Sequence, residues 1–149
     1  MIERREVTHA VAAALAAGSG KPVGRGAIPP GGEPPYYLLV AVSTTLSGPP
    51  LADENPDMSV VYQVTAVTGP APSTPGSYAV AEQAEWMADK ARTVLLGRDP
   101  NTGQWLHPIT VTGATVYGRH LDTEPGGSSD PSDAIIDNVQ RFRFDLTPA

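Results

Sequence analysis

The stretch SVVYQVTAVT, Ser59 to Thr68, and the stretch AVAEQAEWMADKARTVLLG, Ala79 to Gly97, decide the fold between them. In the first, Val60, Tyr62, Val64 and Ala66 alternate with Val61, Gln63, Thr65 and Val67. Period-two alternation with a half-polar second face predicts a strand that is well covered on one side. In the second, Val80, Ala84, Met87, Ala88, Ala91, Val94 and Leu95 recur at the spacing of one helical face. Ser77 stands where an N-cap belongs, Glu82 and Glu85 sit near the positive end of the helix, and Gly97 lies just past its end. A strand that needs one cover and a helix with one apolar stripe predict a helix packed on a sheet. The other helix face carries Glu82, Glu85, Asp89 and Thr93, and with them Trp86, which lies well away from the apolar stripe.

Working outward, Val7, Ala10, Val11, Ala14 and Leu15 predict a first helix over residues 5–17, with Gly18 as its left-handed cap. The segment GSGKPVGRGAIPPGGEPP, 18–35, has no apolar period and reads as an exposed arm or loop. YYLLVAVST, 36–44, is a continuous apolar run, read as a first strand covered on both faces. A turn-rich loop over 45–57 leads to the second strand. After the second helix, Asn101-Thr102-Gly103 marks a turn and Ile109 to Tyr117 a third strand, with a bulge at Gly113. An acidic irregular loop over 120–137 precedes a last strand from Val139 to Thr147. There Phe142, Phe144 and Leu146 share one face, and Arg141, Arg143 and Asp145 the other. The predicted fold is α+β: a single domain over 1–149 with a four-stranded mixed sheet, two helices packed on one face, the order α-β-β-α-β-β and long Pro/Gly-rich loops. If the second and third strands are neighbours, the crossover makes them parallel.

The chain has 15 Gly and 16 Pro among 149 residues, and nearly all of them fall in these connections. A net charge of −6, with Lys21 and Lys90 the only lysines, argues against a protein that grips nucleic acid through its phosphates. There is no apolar run of membrane-spanning length and no cysteine to form a disulfide framework or a thiolate metal site. Gly18-Ser19-Gly20-Lys21 lacks the preceding strand and following Ser or Thr of a phosphate loop. The acidic groups Asp53, Glu54 and Asp57, and Asp122, Glu124, Asp130, Asp133 and Asp137, lack the spacing of a calcium loop. His9, His107 and His120 read as surface or capping residues, and no nucleophile elbow is present. No catalytic, cofactor-binding or metal-binding residue is expected. Arg141 and Arg143 are read as solvated charge or, more sharply, as one side of a salt bridge between subunits.

The strand from Val60 and the helix AVAEQAEWMADKARTVLLG resemble the tail terminator proteins of long-tailed bacteriophages. In that family a strand is followed by a long helix of the type A-x-x-L-A-x-x-V-R-x-x-L. The matching positions here are Ala84, Met87, Ala88, Ala91, Arg92 and Leu95, of which Met87 and Ala91 depart from the pattern's Leu and Val. The resemblance covers most of the chain as element order and about forty positions as residues. It implies a non-enzymatic virion protein, assembled in the host cytoplasm, that forms a homo-oligomeric ring, usually a hexamer. Such a ring stops the growth of the tail-tube protein, meets a head-side connector, and lets DNA pass through its lumen without specific binding. Another head-tail connector (a head-completion or neck protein), a minor tail protein and a small enzyme are the alternative readings. Candidate contact residues are Trp86, Glu82 and Asp89 on the helix, Trp105, and Arg141 with Arg143. Trp86 either anchors a subunit contact or packs beneath the chain's own long loop.

Overall fold

A computed structural model describes residues 1–47, 56–70, 81–130 and 135–149. The expected N-cap Ser77, the helix residue Val80, the carboxylates Asp53, Glu54 and Asp133, and most of the 45–57 loop lie outside these residues. The chain forms helix α1 (Arg4–Ser19), strands β1 (Val23–Arg25), β2 (Tyr36–Ser47) and β3 (Asp57–Thr68), helix α2 (Ala81–Leu96), and strands β4 (Ala114–Asp130) and β5 (Ile135–Pro148). It is α+β, as expected, but the sheet has five strands rather than four, in the order β1-β2-β3-β5-β4. The additional strand comes from the segment read as an arm. Pro22 O accepts from Tyr37 N and Gly26 N donates to Leu39 O, which seats Val23–Arg25 in parallel beside Tyr37–Leu39.

The long crossover through α2 does not join neighbours. β3 pairs antiparallel with β5, and β5 with β4, so β3 and β4 run parallel with β5 between them. The stretch 120–137, read as an irregular loop, instead supplies the outer half of β4 and the start of β5. Register shifts between Val116 and Gly118, Leu121 and Thr123, and Thr123 and Gly126 let β4 carry its turn-type residues within a paired strand. Gly113 is not a bulge. It takes φ 79° in a tight turn that joins Val111 to Ala114, so the third strand starts five residues later than its apolar pattern suggested.

One sheet face carries the core. Cross-strand register sets Ala41, Tyr62, Phe142 and Leu121 in one row, and Leu46, Met58, Leu146 and Val116 in another. Both helices pack on this face. Val7, Val11 and Leu15 of α1 and Met87, Ala91, Val94 and Leu95 of α2 are fully buried against it. Three side-chain hydrogen bonds tie helix to sheet: Tyr37 Oη donates to Met87 O at 2.6 Å, Gln140 Nε2 donates to Ala88 O at 3.0 Å, and the Tyr62 and Thr8 hydroxyls meet at 2.7 Å. α1 continues past the expected Gly18 cap to Gly20, whose φ of 71° closes the helix with a hydrogen bond from its own N–H to Ala16 O. β2 is covered at its start only. Tyr36, Tyr37 and Leu39 are buried, whereas beyond a register shift at Ala41/Ser43 the strand runs past the helices and is exposed.

Burial raises the phenols of Tyr37 and Tyr62 above their ordinary value of 10.0, and for Tyr62 the Thr8 hydroxyl, Arg4 and Arg25 oppose part of the rise. The folded state therefore keeps protons that the unfolded state gives up. Their stabilisation is complete below about pH 10 and is lost as pH rises through the folded values. Ionisation of these two tyrosines should coincide with loss of the helical circular dichroism signal on alkaline titration. Full phenolate absorbance from all five tyrosines with an intact helical signal would contradict this burial.

Candidate interaction surface

The sheet face opposite the helices is open over most of its rows, although Tyr36 and Val67 at one end of it are buried. Its rows read Val40, Gln63, Arg141 and Thr123, then Ser43, Val61, Arg143 and His120, then Thr45, Ser59, Asp145 and Gly118. At its β2 margin Val40 is left in water, 45% exposed, and at the register shifts of β2 and β4 Val42 and Tyr117 are 44% and 59% exposed. Both edges of the sheet are also free over part of their length. β1 covers β2 only at Tyr37–Leu39, and β4 has no outer neighbour strand among the described residues. Unpaired strand edges are ready templates for another chain, and Pro125 with the register shifts along β4 blunts that edge in part.

The centre of the open face is organised by Asp145. Ser59 Oγ donates to its Oδ1 at 2.7 Å, and His120 Nε2 lies 3.1 Å from Oδ2. Arg143 Nε sits 3.4 Å from Oδ1, an ion pair whose angle falls short of a hydrogen bond. Serine and histidine both address the carboxylate, so the hydroxyl proton points at Asp145 and not at the imidazole. Gly118 leaves the room for this pairing, because a side-chain carbon there would stand 2.9 Å from Asp145 Oδ2 and 3.1 Å from His120 Nε2. Beside it, Arg141 donates through Nε and Nη2 to Gln63 Oε1, both at 3.3 Å. Arg141 and Arg143 thus share the open face as expected, with their hydrogen-bond and charge partners inside the chain.

The helix candidates stand on the other side of the molecule. Glu82 and Asp89 are exposed on α2, and Asp89 Oδ1 pairs with Arg92 Nη2 at 2.8 Å. Trp86 is 48% exposed, with Lys21 Nζ 5.8 Å from the centre of its ring. The segment after α1 therefore reaches the tryptophan ring through Lys21 without burying it. Trp86, Glu82 and Asp89 form one surface and Arg141 with Arg143 another, separated by the helix layer and the sheet.

Trp105 belongs to neither. The turn at Asn101-Thr102-Gly103 is closed by Gly103 N to Asp99 O at 2.7 Å, and it sets Arg98 opposite Trp105. The Arg98 guanidinium lies 4.0 Å from the ring centre and that of Arg119 4.5 Å. Sequence patterning passed over Arg119, since the bulge before Gly118 hides that it faces the core, across from Phe144. Its Nη1 donates to Leu95 O at 3.3 Å and His107 O at 2.9 Å, which places a cation at the negative C-terminal end of α2. Burial, and then Arg98, pull its pKa down to about 10. The sign is opposite to that of the tyrosines. The cost of burying this charge is present at neutral pH and is relieved only as pH rises through about 10. No protein-family model matches the chain, and no curated protein matches it in sequence. No helix is long and apolar enough to cross a membrane among the described residues.

Because Asp145 holds Ser59, His120 and Arg143 together, Asp145→Ala should lower stability by roughly 1–3 kcal/mol in urea denaturation. Arg92→Ala, which breaks only an exposed pair one turn apart on α2, should stay within about 0.5 kcal/mol of the parent. Equal effects of the two would show that the Asp145 cluster is solvated charge.

Proposed function

We propose that the chain is a ring-forming tail terminator of a long-tailed bacteriophage, a structural virion protein that caps the tail tube and joins tail to head. The observation that carries this reading is a sheet covered by helices on one face and open over most of the other, with Val40 left apolar at its margin and partly free edges. A closed ring requires two different complementary patches on each subunit, so that each copy offers one patch to the next. The open sheet face and the Trp86 surface of α2 are two such patches, and they point away from each other. Trp is enriched among residues that dominate interface energy, and Trp86 is half in water beside Glu82 and Asp89. The negative net charge suits a ring whose lumen passes DNA without retaining it.

On this reading the partners are further copies of the chain, the tail-tube protein on one side and a head-side connector on the other. Added to polymerising tail-tube protein, the chain should halt tube growth at a defined length. Growth that continues unaffected would remove the terminator role while leaving another connector or a minor tail protein in place. Trp86→Ala should shift the assembled species toward monomer in light scattering while the fold is retained. An unchanged mass would take Trp86 out of the subunit contact.

A further inference from the structure

Between the Asn101-Thr102-Gly103 turn and the start of β4 lies a concave site of about 560 Å³ that neither of the surfaces above uses. Its walls include the Trp105 ring and the aliphatic side chains of Ile109, Val111 and Val116, with Gln104 and Thr110 among its polar groups. Among the described residues, no acidic residue lines it. Arg119 does, and it is only 7% exposed. Its Nη1 is shared between two backbone carbonyls and its buried Nε has no acceptor. Among the described residues, neither Arg119 nor Arg98 has a carboxylate within ion-pair distance, although both guanidinium groups lie over the same indole.

Buried guanidinium groups are rare unless they are paired, because carbonyl dipoles compensate a full charge only in part. Here Arg119 is the buried one, with the exposed Arg98 on the same ring, and no anion of the described residues answers it. The volume falls within the range of pockets that hold small ligands or inserted side chains. The aliphatic walls favour a ligand whose charge sits on an apolar stem, and a planar guanidinium matches a planar carboxylate.

We propose that the cavity bordered by Trp105 and Arg119 is a receptor for a carboxylate on an apolar stem. Two sources share that chemistry: a free aliphatic acid, and a glutamate or aspartate flanked by apolar residues on a protein partner. The site stands on its own geometry and does not depend on ring assembly.

The test uses the full chain labelled with nitrogen-15, with the indole N–H of Trp105 as reporter and that of Trp86 as internal control. Hexanoate, the capped peptide acetyl-Leu-Glu-Leu-amide, sodium chloride and inorganic phosphate are titrated separately at matched ionic strength. A saturable shift at Trp105 and not at Trp86, produced by either carboxylate and not by chloride, supports the site. Tighter binding of hexanoate assigns it to a free acid, and tighter binding of the peptide to a protein segment. Gln104→Glu, which sets a negative charge on an exposed position of the cavity wall, should weaken the carboxylate about tenfold. Arg119→Gln should abolish binding, but it also removes the cap on α2, so Gln104→Glu is the deciding variant. No saturable shift with either carboxylate, an equal shift with chloride, saturation by phosphate alone, or unchanged affinity in a natively folded Gln104→Glu protein would each overturn the proposal.

Discussion

The fold depends on the burial of one apolar surface, the face of β3 and β5 that carries Val60, Tyr62, Val64, Phe142, Phe144 and Leu146, all removed from water. The opposite side of these strands sets Gln63, Thr65, Arg141, Arg143 and Asp145 among Val61, Val67 and Val139, so only one side offers an unbroken apolar surface. Both helices are recruited to that side. The Tyr37 and Gln140 side chains then fix α2 by donating to two successive carbonyls near its middle, Met87 and Ala88. A hydrophobic face alone would let the helix slide along the strands. Two directed hydrogen bonds from different strands hold it at one position.

The remaining features follow from that one-sided cover. Arg119 occupies a core-facing strand position, where a cation is tolerated only because the end of α2 brings carbonyls to it. On the open face Asp145 engages Ser59 and His120, and Arg141 engages Gln63, across the strands, while Arg143 Nε has only its ion pair with Asp145 and Val40 leaves the β2 margin apolar. The helix layer presents Trp86 in the opposite direction. Two chemically distinct surfaces on opposite sides of a thin domain are the property that the proposed ring assembly uses.

Much of this was written in local periodicity. The alternation over 59–68, the apolar stripe from Ala84 to Leu95 and the Phe142, Phe144 and Leu146 face predicted the core correctly, because each lies within one unbroken element. The failures occur where a strand changes phase or pairs over a distance. Val23–Arg25 is too short to show alternation and is held by backbone hydrogen bonds to β2, which composition cannot signal. The shift at Ala41/Ser43 gives 36–44 the look of a strand buried on both faces, although its second half is in water. Pro125, Gly126 and Gly127 disguise β4 as loop. Of the candidate site residues, the faces of Trp86, Arg141 and Arg143 were readable. The Trp105 stack and the role of Arg119 were not, because they arise from a turn meeting the end of a helix, a contact with no sequence period.

The central claim is that the two opposed surfaces join copies of this chain head to tail into a closed ring. Electron microscopy of the purified protein, with particle mass measured on the same sample, tests it most directly. A closed ring of identical subunits around a channel wide enough for duplex DNA is the predicted result. A strictly monomeric particle at high protein concentration, with both surfaces open to solvent, would contradict it.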